Sequence, residues 1–537
     1  MTPMGSSDRE TWKLYRQYLC VERDTKITLD FSRVGFTPDY FSEMAALVSS
    51  AVYSMQELEF GALANGTEQR MVGHYWLRAP ALAPSEQIAT AIENEVVSAE
   101  AFAERIRSGI LQDEHGAFRD VVHVGIGGSA LGPQLMCDSL GTGQDRVAVH
   151  FLDNSDPDGI DRLLSLIHGA LGTTLVSVVS KSGWTPTTMQ VVKELRHAYD
   201  RAGVDFSRHA TATTMEGTAL DATAGDEGWL ARFRLWPWVG GRTSVTSAVG
   251  LLPAALTGVD IRAFLDGAAR MDRATRQRDV WSNPAMLLAL AWHRLGHGRG
   301  DKDMVILPYR DRLSLFPRYV QQLVMESIGK KCNRRGQVVH QGLTVYGNKG
   351  STDQHAYVQQ LRDGLDNFFV TFIHVGQDRA RASQEVAPGL TLGDYLFGHM
   401  EGTRNALFAR GRQSITIELP DLSPRSLGAL IALYERAVGL YAEFINVNAY
   451  DQPGVDKDAA AIVVELQRMA MAYLETVRRP QSAEQIAAGI GRPNEAETVF
   501  KVLRRLAADP RRGIHGASWS VVDEPAAAQF EWVGVRG

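Results

Sequence analysis

The chain reads as an α/β protein with two doubly wound parallel-sheet domains, an α-helical N-terminal arm and a small winged-helix-like C-terminal tail. Three observations predict this. Short β-branched runs alternate with helical patterns from residue 120 to about 256, and again from about 285 to 418. Most of these runs end in a polar turn, several of them rich in Gly, Ser or Thr, that leads into a helix. The length, 537 residues, exceeds one ordinary core at roughly 100–200 residues per domain. Such alternation gives a parallel sheet covered by helices on both faces.

Residues 1–110 read mostly as helices with an extended arm. The first domain, 111–275, opens with a strand at 121–126, a Gly-rich turn and a helix through Leu135. Further strands are predicted at 147–152, 174–179 and 210–214, with a helix at 187–202. The second domain, 276–478, starts with an apolar helix at 285–295. Its strands are predicted at 304–307, 343–346, 368–374 and 414–418, with helices at 315–328, 352–361 and 393–409. The tail, 479–537, has a Ser-led helix start at 482, a helix at 495–507 and a Gly-rich β-like end.

Composition excludes several classes. Hydrophobic residues make up 45% and charged residues 22%, ordinary for a globular protein and unlike a disordered chain. The net charge of −6 gives no global attraction to nucleic acid or to anionic membrane. In the tail, Arg492, Lys501, Arg504, Arg505, Arg511, Arg512 and Arg536 are offset by Glu484, Glu495, Glu497, Asp509, Asp523, Glu524 and Glu531. That cancellation argues against a DNA-reading face. The apolar stretches at 248–259 and 284–292 fall short of the roughly 20 residues that span a bilayer. Cys20, Cys137 and Cys332 lie too far apart for a CxxC zinc site or a disulfide framework. With no apolar signal core in the first 20 residues, a cytoplasmic, reducing location is expected. Asn65-Gly66-Thr67 matches a glycosylation acceptor, which carries little weight without a secretory signal.

In doubly wound sheets chemistry sits in the turns beyond the strand ends. The first turn, GIGGSALG (125–132), lies between a strand and a helix, so the amides around Gly128 and Ser129 can face an anion. It also fits a loose dinucleotide pattern with Asp153 near the next strand end, and a tight turn alone would account for its glycines. The second, SKSGWTPTT (180–188), offers Ser180, Lys181, Ser182 and Thr185 immediately before a helix. Hydroxyls and backbone N–H groups there donate to a dianion, while the bland reading is a helix N-cap, which needs only one hydroxyl. The third, WPWVGGRTS (236–244), presents Arg242 after two glycines, either for an oxyanion or as a structural arginine. On the helix at 315–328 and just beyond it, Arg318, Gln322, Glu326 and Lys330 recur at i, i+4. This is either a solvated stripe or, where a second element walls Glu326, a general base. The fifth turn, GNKGSTDQH (347–355), brings His355 into the start of a helix, where it is a proton carrier or an inconsequential exposed residue.

Taken together, GIGGSALGPQ (125–134), DNSDPDGIDR (153–162), SKSGWTP (180–186), WVGGRTS (238–244), QQLVMESIGK (321–330), VYGNKGSTDQHAYVQQLR (345–362) and NAYDQPGV (448–455) resemble the glucose-6-phosphate isomerase, or phosphoglucose isomerase, family, in its cyanobacterial and plastid form. The likeness runs through RMVGHYWLRAP (70–80) and covers essentially the whole chain. It implies two sugar-isomerase (SIS) domains, a homodimer, and reversible aldose–ketose isomerisation of glucose 6-phosphate and fructose 6-phosphate with neither metal nor organic cofactor. It further implies that Gly128, Ser129, Ser180, Lys181, Ser182 and Thr185 bind the sugar phosphate, and that Gln322 and Gln452 position hydroxyls. Glu326 is the implied base, Arg242 the enediolate partner, and His355, reaching the partner subunit's site, assists ring opening. Three departures stand out. Trp184 and Thr187 replace a glycine and a glutamate of the family's SKSGGTPET, implying a tighter phosphate pocket. The lysine expected four residues after QPGV is Ala459, and Lys457 takes that place only across a two-residue deletion. A sugar-phosphate-sensing regulator with a helix-turn-helix tail is the competing reading, and a nicotinamide-dependent dehydrogenase a third.

Overall fold

The computed structural model describes residues 8–142, 145–453, 459–516 and 524–534. The chain divides into two compact units, Met1–Gln452 and Pro453–Gly537.

The first unit contains both large sheets. One is five-stranded and wholly parallel, formed in spatial order by Ala148–Leu152, Asp120–Val124, Thr174–Val179, Ala210–Met215 and Ala231–Leu235. The last strand, ARFRL, escapes a sequence reading because it is an edge strand whose outward positions are Arg232 and Arg234, the charged decoration that keeps edges from pairing further. The second sheet is six-stranded and mixed. Val345–Tyr346, Asp303–Pro308, Phe368–Val375 and Ser414–Leu419 run parallel, and the arm adds Ile27–Arg33 and Leu19–Glu22 antiparallel at the edge. The extended part of the arm is therefore sheet: Ile27, Leu29 and Phe31 are fully buried in period-two alternation.

The two apolar stretches of the sequence are interior helices. All nine residues of Ala248–Leu256 are buried, and Pro284–Leu295 buries ten of its twelve. A helix apolar all round has no other soluble place. Among the described residues no helix is long and apolar enough to cross a membrane. The helix expected at 352–361 is instead a 3₁₀ turn, Thr352–His355, followed by Val358–Asp363.

Arm, helix Ile261–Thr275 and helix Pro424–Phe444 meet in a buried charge network. Asp272 takes Arg78 through both oxygens, at 2.6 and 2.8 Å, and also Arg436 at 2.8 Å. Arg78 reaches Glu435, Arg436 reaches Glu59, and Arg276 closes on Glu59 at 2.9 Å. The Arg436 guanidinium also lies over the Tyr75 ring, 3.8 Å from its centroid. Burial alone would raise the Asp272 pKa, but Arg436 and Arg78 outweigh it and hold the carboxyl well below the usual carboxylate range.

The second unit has its own small core. Helix Ala459–Val477 supplies Ala470 and Leu474 to a cluster with Ile486, Val499, Leu503 and Phe530. Helix Ala483–Gly489 starts in a capping box between Ser482 and Gln485. Three short strands, Gln481–Ser482, Gln529–Trp532 and Ile514–Gly516, form an antiparallel sheet beside helix Ala496–Ala507. The core thus extends N-terminally of the expected start at 479. Lys501 pairs with Glu497 and Arg511 with Asp509.

Because Asp272 is depressed by its arginines, its contribution is complete above the ordinary carboxylate range and is lost as pH falls through its folded value. Asp272→Asn leaves two buried guanidinium groups short of a counter-charge and is expected to cost about 3–5 kcal/mol. Chemical denaturation at neutral pH measures it, and an unchanged midpoint would remove the network from the account of stability.

Candidate active site

Three of the predicted turns converge by backbone contact. A Cβ on Gly128 would lie 2.1 Å from the Gly241 carbonyl oxygen and 2.7 Å from the Arg242 nitrogen, so only glycine lets these two loops touch. Lys181 Nζ donates to the carbonyls of Pro237 and Val239, at 2.9 and 2.6 Å, which ties the second loop to the third. The first loop is also held from beneath. His123, fully buried in its strand, gives Nε2–H to the Ser129 carbonyl at 2.8 Å. Burial pushes this imidazole down to about 4, so at neutral pH it is uncharged and carries its single proton on the bonded nitrogen.

The second loop is not a simple N-cap. Thr185 precedes helix Pro186–Ala202 without capping it. Its hydroxyl pairs instead with Ser180 Oγ at 2.9 Å, and Ser182 Oγ accepts from the Trp184 amide at 3.4 Å. Gly183 needs its glycine: φ is +66° and a Cβ would strike Thr218. Trp184 does not adopt a positive φ, and its side chain stands 70% exposed. The backbone therefore accepts tryptophan there, and the residue stands largely in solvent.

Arg242 is buried and held through Nε and Nη2, with Nη1 turned to Glu326. Nε donates to Ser327 Oγ at 2.8 Å, Nη2 to the carbonyls of Ala449 and Asp451 at 2.5 and 2.9 Å, and Nη1 lies 3.4 Å from Glu326 Oε2. Burial lowers its pKa while Glu326 and Asp451 oppose the shift. Glu326, on helix Phe316–Ile328, has a side chain only 19% exposed, and Oε2 is otherwise without a hydrogen-bond donor among the described residues. It lines an open cleft of about 370 Å³ with Gln322, Gln321, Arg318, Gly127 and Ile126. Gln322 Nε2 sits against Gly127, where a Cβ would approach it to 3.2 Å.

The polar stripe expected from Arg318 to Lys330 is therefore graded. Arg318 is exposed beside Asp153 at 3.6 Å, Gln322 and Glu326 are half-buried at the cleft, and Lys330 is buried. The helix ends at Ile328, so Lys330 opens the next strand, Lys330–Cys332. It donates to the Asp451 carbonyl and carboxylate, at 2.9 and 2.8 Å. Asp153 is occupied by Arg318 and by Gln134 at 3.0 Å, so it is committed within the fold rather than free for a ribose.

Sequence reading missed Ser327 and Asp451, and took Lys330 only as the last member of the polar stripe. They fix Arg242 and the loop before Gln452, and no spacing rule links 451 to 242; a polar residue following Glu326 was the only available hint. The arm completes this clamp: Thr67 donates to Asp451 at 2.8 Å and Asn65 to the Tyr450 carbonyl at 3.1 Å. Gln452 is exposed at the end of the segment. His355 is also exposed and does not line the Glu326 cleft of its own chain. Lys457 lies outside the described residues.

The arrangement combines an under-bonded carboxylate, a pre-bonded guanidinium and two hydroxyl-bearing loops at the ends of neighbouring strands. The family model "Phosphoglucose isomerase" matches residues 30–388 and 376–472. A glucose-6-phosphate isomerase of Geobacter sulfurreducens is 54% identical over 94% of this chain and 96% of its own length. One from Nostoc punctiforme is 50% identical, again over 94% and 96%. The crystal structure of a glucose-6-phosphate isomerase from Chlamydia trachomatis superposes with a TM-score of 0.78 at 26% identity, covering 87% of this chain and 94% of that one. Sequence, backbone and the convergence of the site loops point the same way, and the chain belongs to the phosphoglucose isomerase family.

Proposed function

We propose that this chain interconverts glucose 6-phosphate and fructose 6-phosphate through an enediolate, with Glu326 moving the proton between C2 and C1. The observation that carries this is the Glu326 carboxylate, half-buried in the cleft wall, with Oε2 turned inward 3.4 Å from Arg242 and no other donor on that oxygen among the described residues. A base must accept, and a carboxylate already saturated by donors would not. Arg242 is pre-organised by three neutral acceptors, so it meets the developing enediolate charge without reorganising.

The remaining roles follow the loops. The hydroxyls of Ser129, Ser180, Ser182 and Thr185 and the backbone at Gly128 and Lys181 hold the phosphate, while the Lys181 ammonium braces the loop. Anchoring a remote dianion fixes the reacting carbons over Glu326. Gln322 and Gln452 orient sugar hydroxyls. Lys457 assists ring opening. His355, exposed and away from the cleft of its own chain, serves the site of a second subunit in a homodimer. The three unpaired cysteines fit a reducing cytoplasm. No observation favours the regulator or the dehydrogenase.

Glu326→Gln preserves the shape of the cleft and removes the base. Turnover should fall by at least about 10²-fold, and exchange of the substrate C2 proton with deuterated solvent should cease while glucose 6-phosphate still binds; proton NMR reads both, and persisting exchange would exclude Glu326. The shared site is tested by mixing. Glu326→Gln and His355→Ala are each inactive alone, but unfolding and refolding them together should recover about one quarter of wild-type activity through hybrid dimers. No recovery, with hybrids verified by mass, would place His355 outside the partner's site.

A further inference from the structure

Beyond the Glu326 cleft, a large cavity lies at the C-terminal edge of the second sheet. Its volume is about 860 Å³, and loops following Asp303–Pro308, Phe368–Val375 and Ser414–Leu419 wall it. This is the edge where doubly wound sheets take ligands. The cavity shares no lining residue with the Glu326 cleft.

Two of its lining guanidinium groups, Arg310 and Arg379, make no hydrogen bond and no ion pair among the described residues. Both are half-buried, which removes hydration without supplying an acceptor. Burial holds Arg310 below the usual arginine value, Asp378 opposes, and Arg312 and Arg379 add repulsion. The hydroxyls of Ser351 and Thr352 on the same wall are likewise uncommitted. The other charges are mostly spent. Asp311 pairs with Lys349 at 2.8 Å, Asp421 accepts from the Ser423 amide and Ser426 Oγ, and Arg312 donates to the Gly141 carbonyl. Asp378 is the remaining open acid. Two free cations, two free hydroxyls and one carboxylate make a site that favours an anion carrying a hydroxyl donor.

We propose that this cavity binds a phosphorylated sugar or polyol, its phosphate held by Arg310, Arg379, Ser351 and Thr352, with Asp378 accepting from a ligand hydroxyl. The cavity shares no lining residue with the Glu326 cleft of its own chain, its Ser351–Thr352 wall adjoins the turn that carries His355, and the two arginines do not depend on the isomerase reading.

Calorimetric titration of the full chain with inorganic pyrophosphate tests it on three proteins: wild type, Arg310→Gln/Arg379→Gln, and Ser180→Ala/Ser182→Ala. The expected result is a binding event weakened at least about tenfold in the arginine double variant and retained in the serine double variant, with glucose 6-phosphate turnover unchanged by the arginine substitutions. Binding abolished by the serine substitutions and untouched by the arginine ones overturns the proposal. So does a change of oligomeric state in the arginine variant by light scattering, which would make the cavity a subunit contact. Arg379→Gln alone, with one guanidinium left in place, gives an intermediate affinity if both residues hold the phosphate.

Discussion

Arg242 is the residue on which the active region turns. A guanidinium removed from water must find acceptors for its donors or the fold loses several kcal/mol. Arg242 finds them on two separate segments: Ser327 and Glu326 on one helix, and the carbonyls of Ala449 and Asp451 on a loop far along the chain. Satisfying one buried cation therefore fixes the distance between the helix that carries Glu326, the Gly-rich turn at 240–241 and the segment leading to Gln452. Lys330 repeats the device on the same loop through Asp451.

Behind this clamp lies a second layer of buried charge. Asp272, Glu435 and Glu59 meet Arg78, Arg436 and Arg276 where the arm crosses the helices Ile261–Thr275 and Pro424–Phe444. Such a network adds little over a well-packed apolar alternative, but it tolerates no loss of a partner. Its effect is positional. The arm that carries Arg78 also carries Asn65 and Thr67, which grip Tyr450 and Asp451. What looks in the sequence like a packing appendage is part of the machinery that holds Arg242.

The two sheets present their loops differently. At the first, glycines at 128 and 183 remove side chains so that loops can interlock, and hydroxyls pair with each other. At the second, Arg310 and Arg379 stand around an open cavity without hydrogen-bond acceptors among the described residues. Both arrangements suit anions. The first suits one held by directional hydrogen bonds within a preorganised cradle, the second one attracted chiefly by charge.

The strands Asp120–Val124, Thr174–Val179 and Phe368–Val375, and the helices Pro284–Leu295 and Phe316–Ile328, could be read directly, because local periodicity and β-branching encode them. Glu326, Arg242 and the hydroxyl loop stood out as candidates from their pattern, but the pattern left a structural reading open for each, and their roles came from the family resemblance. The edge strand Ala231–Leu235 and the arm strands could not be read, since their pairing partners lie far away in sequence and their exposed faces are polar. The pairing of Lys330 with Asp451 was equally hidden. The chain by itself determined which residues have the chemistry for proton transfer and anion binding. Only the tertiary structure decided which of them meet, because burying a charge depends on acceptors brought from hundreds of residues away, and no local pattern records that distance.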